Sequence, residues 1–207
     1  MTKAWKQSLT GRAITVSRPA AGEIDVMIDL PETLARISRF DGAVPGGVYT
    51  VAQHCAVMAD VILEETGDAH LAAIALLHDA HEFIIGDITT PAVEGLAEVE
   101  IELFGDSRII SVIAEAKRRA DAAIFRACGT PLPTAEQVRI VKAYDTRMLA
   151  TERRHLLANC PRRWNAAIEK AEPLRLRGAL RIWPTARAAD EYRARLKTLC
   201  PAAGRIA

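Results

Sequence analysis

Leu76-Leu77-His78-Asp79-Ala80-His81-Glu82 ends an apolar helix with two adjacent residues of metal-binding type and with a carboxylate one turn later. Burying an imidazole and a carboxylate together is costly unless their polarity is compensated. A divalent cation compensates both groups directly. This stretch therefore predicts a helical core that surrounds a polar site.

The composition predicts one domain with a single core over residues 1–207. Lys and Arg number 27 against 26 Asp and Glu, so the overall charge gives no reason to expect a nucleic acid polymer or a membrane as partner. No apolar run approaches the length of a membrane span, and no signal peptide is evident, which predicts a cytoplasmic protein. The cysteines are too widely spaced for a structural zinc site or a disulfide framework, and we interpret them as reduced thiols: Cys55, Cys128, Cys160 and Cys200.

The hydrophobic pattern predicts an all-α helical bundle with a small N-terminal β-hairpin-like appendage. Alternating runs at 13–16 and 23–29 predict a hairpin over about 11–29. Thr50 with Gln53, and Thr134 with Gln137, have the spacing of capping boxes that start helices. The first of these helices ends at Gly67, and the next runs to about residue 83. We expect a catalytic core over about 31–157, with helical segments near 92–103, 107–128 and 134–157, and a helical packing segment over 158–207.

Two further residues extend the polar site. His54 lies in the first turn of its helix beside Met58, and by itself fits a hydrogen-bonded core histidine equally well. Asp145 lies on or beside an apolar face, where its charge needs a partner, and a salt bridge to Arg147 or Arg139 is the alternative to a metal. Together, two imidazoles and two carboxylates from three helices make a ligand set for one divalent transition metal, with Mn, Co, Zn, Ni and Fe all suitable: His54, His78, Asp79 and Asp145.

The order of these ligands, H…HD…D, resembles that of the HD-domain phosphohydrolases. Wider motifs resemble the YfbR-like 5′-deoxynucleotidase branch of that superfamily over roughly residues 34–157. They are Ser38-Arg39-Phe40, Val51-Ala52-Gln53-His54, His78-Asp79-Ala80-His81-Glu82, Gly86-Asp87-Ile88-Thr89-Thr90-Pro91 and the stretch 142–152.

The resemblance implies a metal-dependent enzyme that releases phosphate from deoxyribonucleoside 5′-monophosphates. It implies that Asp79 acts in catalysis as a ligand, and that Glu82 assists proton transfer to the departing sugar oxygen. It also implies substrate contacts by Arg39 with the phosphate and by Asp87 near the sugar. A homodimer or higher homo-oligomer is the family expectation.

Each of these residues also has a structural interpretation. Glu82 fits a solvated helix end, Arg39 fits stacking on Phe40, and Asp87 fits a turn after Gly86. For His81 a packing or surface role is the favoured interpretation.

The substrate remains open because the chain departs from the family pattern. Phe40 stands where shorter relatives carry a Trp that crowds the sugar 2′-position, so selection of deoxyribose over ribose is unsettled. Ala92-Val93 stands where relatives often carry a Lys, which leaves the number of phosphates unsettled. The alternatives are an HD-type dNTP triphosphohydrolase or other nucleotide phosphohydrolase and, outside the enzymes, a metal-stabilised nucleotide-sensing module.

Overall fold

The computed structural model describes residues 3–205, and within them the fold is helical with a two-stranded antiparallel hairpin at the N-terminal end. The expectation of an all-α fold with a small appendage is confirmed. The strands are β1 (Trp5–Gln7) and β2 (Ala13–Thr15). The helices are α1 (Asp29–Leu34), α2 (Val51–Thr66), α3 (Ala69–Leu77), α4 (Glu82–Ile85), α5 (Thr90–Phe104), α6 (Ile109–Ala127), α7 (Ala135–Leu156), α8 (Ala166–Lys170) and α9 (Thr185–Leu199).

The centre of the core is the antiparallel pair α2 and α3, with α9 packed across both. Every residue of α3 from 71 to 77 is buried, because apolar side chains surround the helix on all sides. α9 contributes the fully buried Tyr192, whose hydroxyl donates to the carbonyl of Leu76 at 3.0 Å. Burial of one such large apolar side chain stabilises the fold by roughly 1.5–3 kcal/mol. The polar site therefore lies at the end of the best-packed helix.

Helix caps fix where the site-bearing helices begin. The hydroxyl of Thr134 accepts from the backbone N–H of Gln137 at 3.2 Å, and the Gln137 amide oxygen accepts from the Thr134 N–H at 2.9 Å, so the capping box of α7 is confirmed. Only half of the box at α2 forms. Thr50 accepts from the Gln53 N–H, but the Gln53 amide instead contacts the backbone of Arg181 and Trp183 and ties that segment to α2.

The N-terminal hairpin differs from its predicted span. β1 pairs with β2 in a register that places Trp5 opposite Thr15, so the prediction of a second strand over 23–29 is wrong. Acidic side chains in that stretch satisfy backbone donors of turns. Asp25 accepts from the N–H groups of Met27 and Ile28 at 3.1 and 3.0 Å, and α1 then begins at Asp29.

α3 ends earlier than the predicted residue 83. It stops at Leu77, and tight hydrogen bonds carry the chain through a turn over residues 78–81 into α4. The N–H of Ala80 donates to the Leu77 carbonyl at 3.0 Å, and that of Glu82 donates to Asp79 at 3.1 Å. The HD dipeptide therefore lies in a turn between two helices.

The C-terminal segment is less helical than predicted. α8 and α9 lie in it, but residues 171–184 are not helical. Among residues 3–205, no helix combines the length and the apolar character that crossing a membrane requires.

Candidate metal centre

The four predicted ligands meet at one point. The Nε2 atoms of His54 and His78 are 3.3 Å apart, and His78 Nε2 is 3.2 Å from Asp79 Oδ2. His54 Nε2 is also 3.5 Å from Asp145 Oδ1 and 3.7 Å from Asp79 Oδ2. Ligand atoms that share a transition metal at ~2.1 Å lie roughly 3.0–3.4 Å from one another in octahedral or tetrahedral geometry. The residues from α2, from the turn after α3 and from α7 thus form a cluster that could hold a metal ion.

The hydrogen bonds of the two histidines fit this use. His54 Nδ1 is 2.6 Å from the carboxylate of Glu152, and His78 Nδ1 is 2.7 Å from the carbonyl of Ala75. In a neutral ring with this hydrogen bond Nδ1 carries the proton, and Nε2 offers a lone pair to a metal. In the metal-free fold burial lowers the pKa of His78, but Asp79 and Cys55 outweigh it and hold that pKa well above its ordinary value, so an ion that binds there displaces a proton from the ring. A cation between the two Nε2 atoms takes the place of that proton and binds both nitrogens. The donor set therefore fits a borderline divalent ion.

Charge within the cluster favours the ligand forms of the carboxylates. Burial alone would raise the pKa of Asp79, but His78, His54 and Arg39 outweigh it and hold that pKa well below its ordinary value. For Asp145, burial is likewise outweighed by His54 and His78, and its pKa is lowered. Both side chains are therefore anions over the physiological range.

The partner of Asp145 differs from the predicted salt bridges. Arg139 pairs with Glu136 and Arg147 pairs with Glu65, so neither reaches Asp145. Lys142 Nζ instead contacts Asp145 Oδ2 at 2.7 Å and leaves Oδ1 directed at His54.

Sequence reasoning assigned no role to Glu152, which is completely buried behind the cluster. Its Oε1 contacts His54, and its Oε2 accepts from Arg39 Nη2 at 3.2 Å. Burial would raise the pKa of Glu152, but Arg39 and His54 lower it below its ordinary value. A signal was present, because Glu152 lies seven residues after Asp145 and so shares its face of α7.

Glu82 lies on the other side of Asp79, in the first turn of α4, and is only 5% exposed. The predicted alternative, a solvated glutamate, is wrong. Burial, together with the charges of Asp79 and Asp87, raises the pKa of Glu82 to about 9. At neutral pH this side chain is a protonated acid in the absence of a nearby cation.

Arg39 connects the metal cluster with the outer part of the site. Its Nη1 donates to Asp79 Oδ2 at 3.2 Å, and its buried Nε has no hydrogen-bond partner within residues 3–205. Asp87 is partly exposed in the loop before α5, and burial and Asp79 raise its pKa although Arg39 opposes them. Arg39 therefore keeps N–H groups available to an anion beside the cluster.

Aromatic rings line this outer part. The Phe40 ring lies 5.5 Å from the Arg39 guanidinium carbon and 6.3 Å from the ring of Trp164. The predicted stacking of Arg39 on Phe40 is therefore present together with its contact to the cluster. Sequence reasoning placed Trp164 among packing residues, because nothing in the order of the chain relates the loop before α8 to Phe40.

The backbone at Phe40 is strained. Phe40 and Asp41 have φ of 58° and 51°, in the left-handed region that costs most L-residues roughly 1–2 kcal/mol each. Asp41 accepts a hydrogen bond from the Thr89 hydroxyl at 3.2 Å, which connects this kink to the loop that carries Asp87.

No family model matches the chain. It is similar to an uncharacterized protein of Rhodobacter capsulatus, with 27% identity over 190 residues and 89% of each chain covered.

His81 takes a packing position, which agrees with the favoured interpretation, but it is not on the surface. It is 5% exposed, and its Nδ1 lies 3.1 Å from Asp121 Oδ1 on α6. The turn after α3 thus sends His78 to the metal cluster and His81 towards α6.

Proposed function

We propose that this chain is a divalent-metal-dependent phosphohydrolase that releases phosphate from deoxyribonucleoside 5′-monophosphates. The observation that carries the proposal is the pair of imidazole Nε2 atoms 3.3 Å apart, with two carboxylates and the Arg39 guanidinium around them. Bound there, a divalent transition ion would supply a Lewis acid and lower the pKa of a water towards neutrality. Proximity of an anion-binding group to such an ion is what phosphate hydrolysis requires.

Arg39 is the group that would bind the phosphate. Its side chain is 12% exposed, and Asp79 and Glu152 hold the guanidinium in place through Nη1 and Nη2. The remaining N–H groups, including the unpartnered Nε, fit phosphate oxygens in planar geometry. Because two carboxylates fix its orientation in advance, little side-chain entropy is lost when the anion binds.

Glu82 is the group that would supply the proton. In the metal-free fold its pKa of about 9 keeps it protonated at neutral pH, and a proton that it retains beside the bound ion would pass to the sugar 5′-oxygen as the P–O bond breaks. Burial keeps bulk water from taking that proton first. Asp87, whose own pKa is raised, lies in the loop that follows α4. It is the residue to which the family resemblance assigns a place near the sugar.

Phe40 and Trp164 support a nucleoside as the organic part of the substrate. Two tilted rings 6.3 Å apart beside an arginine offer an apolar wall against which a sugar or base can pack. Phe40 would then crowd the 2′-position, the role that a Trp has in the family that the sequence resembles.

The proposal is tested by a matrix of metals against nucleotides with identification of the products. Chelator-treated protein is supplied with Mn²⁺, Co²⁺, Ni²⁺, Fe²⁺ or Zn²⁺ and with deoxy- and ribonucleoside mono- and triphosphates. We expect inorganic phosphate from deoxyribonucleoside monophosphates. Release of tripolyphosphate from triphosphates alone would favour a triphosphohydrolase, and thermal stabilisation by nucleotides without any product would favour a sensing module.

Three variants, one of them a control, connect the activity to the site. Asp79→Asn removes the charge of a candidate ligand and should abolish turnover, whereas Asp60→Asn, further along α2 than His54 and paired with Arg195, should not. Glu82→Gln should lower kcat by roughly 10²–10⁴-fold while the ion held by His54, His78, Asp79 and Asp145 still binds.

A further inference from the structure

Two buried acceptors beside the metal cluster have no partner. His81 and Glu82 are each 5% exposed, and His81 Nε2 and Glu82 Oε2 make no hydrogen bond with any part of the chain that the structure describes. Buried polar atoms of native proteins are nearly always paired with protein, water or an ion. Two adjacent exceptions therefore indicate a missing ligand.

The contact of Nδ1 bears on what the other nitrogen of the His81 ring can do. Nδ1 is 3.1 Å from the carboxylate of Asp121, so a neutral ring donates its proton there and directs a lone pair from Nε2 into the interior. A carboxylate that fixes a histidine in this way is the usual support of a metal-binding imidazole. Asp121 thus does for His81 what Glu152 does for His54.

Protonation does not remove the difficulty. A proton on Glu82 Oε2 or on His81 Nε2 would create a buried donor with no acceptor within reach among residues 3–205. A cation between the two atoms satisfies both at once. Three residues each offer one ligand atom here: Asp79, His81 and Glu82. These three atoms all lie within 4.8 Å of one another, which is close enough for a shared ion.

Asp79 can serve both positions. Its contacts with Arg39, His54 and His78 all use Oδ2. That leaves Oδ1 for a second cation, in the manner of a bridging carboxylate.

We infer that Asp79, His81 and Glu82 form a second divalent-cation site that shares the Asp79 carboxylate with the first ligand set. Two carboxylates and one imidazole suit a borderline ion such as Mn²⁺, Fe²⁺ or Zn²⁺. The inference goes beyond the proposed function and does not depend on any substrate. With the second ion bound, Glu82 is a ligand and does not carry the proton assigned to it above, so the two roles belong to two states of metal loading.

The test counts ions and needs no activity. Chelator-treated protein is dialysed against increasing Mn²⁺, bound manganese is measured by mass spectrometry, and coupling between ions is measured by electron paramagnetic resonance. We expect two ions per wild-type chain, with the spectrum of a coupled pair. His81→Gln should bind one uncoupled ion, whereas the control His70→Gln, on the first turn of α3, should keep the coupled pair.

Three results would overturn the inference: one ion per wild-type chain at saturation, two uncoupled ions in the wild type, or a coupled pair in His81→Gln. Asp121→Asn provides a second variant should His81→Gln not fold, as judged by circular dichroism. Loss of the Asp121 charge should weaken the second ion alone by roughly 10–100-fold, and an unchanged affinity would equally refute the site. Failure of the phosphatase assay would leave these counts untouched.

Discussion

At the scale of single residues, the charge of Glu152 should affect both metal binding and the stability of the fold. Glu152→Gln keeps the shape of the side chain but removes the charge that fixes His54 and balances Arg39. We expect the affinity for the first ion to fall by roughly 10–100-fold. The loss of one partner from a buried ion pair should also lower the free energy of unfolding by about 3 kcal/mol.

Metal titration followed by calorimetry and urea denaturation measure these two effects. Glu136→Gln, at the exposed start of the same helix, is the control and should change neither quantity. A Glu152→Gln protein with wild-type metal affinity would mean that the charge of Glu152 is not needed to orient His54 for the ion.

The raised pKa of Glu82 predicts a pH-dependent stability. In the unfolded chain Glu82 loses its proton near its ordinary pKa of 4.5, whereas in the metal-free fold it keeps the proton up to about 9. Between these values the unfolded state binds fewer protons, so stability falls as pH rises, by up to about 1.4 kcal/mol per pH unit from this group. The Gln side chain of Glu82→Gln does not titrate, so this variant does not lose stability with rising pH in this way.

The measurement is urea denaturation of both proteins in chelator between pH 4 and 9. We expect the advantage of Glu82→Gln over the wild type to be small near the acid end and to grow with pH until it levels off near 9. An advantage that does not depend on pH would contradict the pKa and, with it, the role of Glu82 as an acid.

At the scale of elements, the capping box of α7 should affect stability without affecting the site. Thr134→Ala removes the hydroxyl that accepts from Gln137 and should cost about 1 kcal/mol. Thr134→Ser keeps the hydroxyl and should cost much less. Both should bind metal as the wild type does, because Asp145 lies three turns further along the helix. A loss of metal affinity in Thr134→Ala would show that the start of α7 positions the site.

The elements also show what the sequence can and cannot predict. Gly67, Asp68 and the Thr134 box are local signals, and the helix boundaries that they predict are correct. The prediction of a second strand over 23–29 is wrong because Asp25 and Asp29 accept hydrogen bonds from backbone N–H groups of turns. The alternation of apolar and polar residues along the chain does not reveal such hydrogen bonds. The prediction that α3 continues to residue 83 is wrong because the apolar helix pattern of the sequence continues through the turn at 78–81.

The site follows the same division. The four candidate ligands could be predicted as a group because their residue types have few other uses together inside a core, and the structure brings all four together. Trp164 and Asp121 were not predictable, because each reaches the site from a helix or loop whose position only the tertiary fold decides.

At the scale of the whole molecule, the hairpin of α5 and α6 exposes an apolar surface. Leu96, Val99 and Leu103 follow one face of α5 and are 51%, 50% and 68% exposed. α5 carries four Glu and no basic residue, whereas α6 carries four basic and two acidic residues. The α5 of one copy is thus complementary in charge to the α6 of another, and we expect a second copy of this chain to cover the surface.

Sedimentation velocity of Leu103→Glu tests this expectation. A buried charge in the interface should shift a dimer towards monomer by at least tenfold in Kd, whereas Leu132→Glu, at a similarly exposed leucine before α7, should not. Dimers of equal stability in wild type and Leu103→Glu would place self-association elsewhere.

The packing of α9 has a consequence for how the candidate metal centre assembles during folding. α9 covers α2 and α3, and its Tyr192 bonds to a carbonyl two residues before His78. The candidate ligands His54 and His78 therefore depend on a helix pair whose packing is completed by a segment much further along the chain. A chain in which α9 has not yet docked would hold these side chains less firmly, so we expect its affinity for a divalent ion to be lower than that of the folded protein.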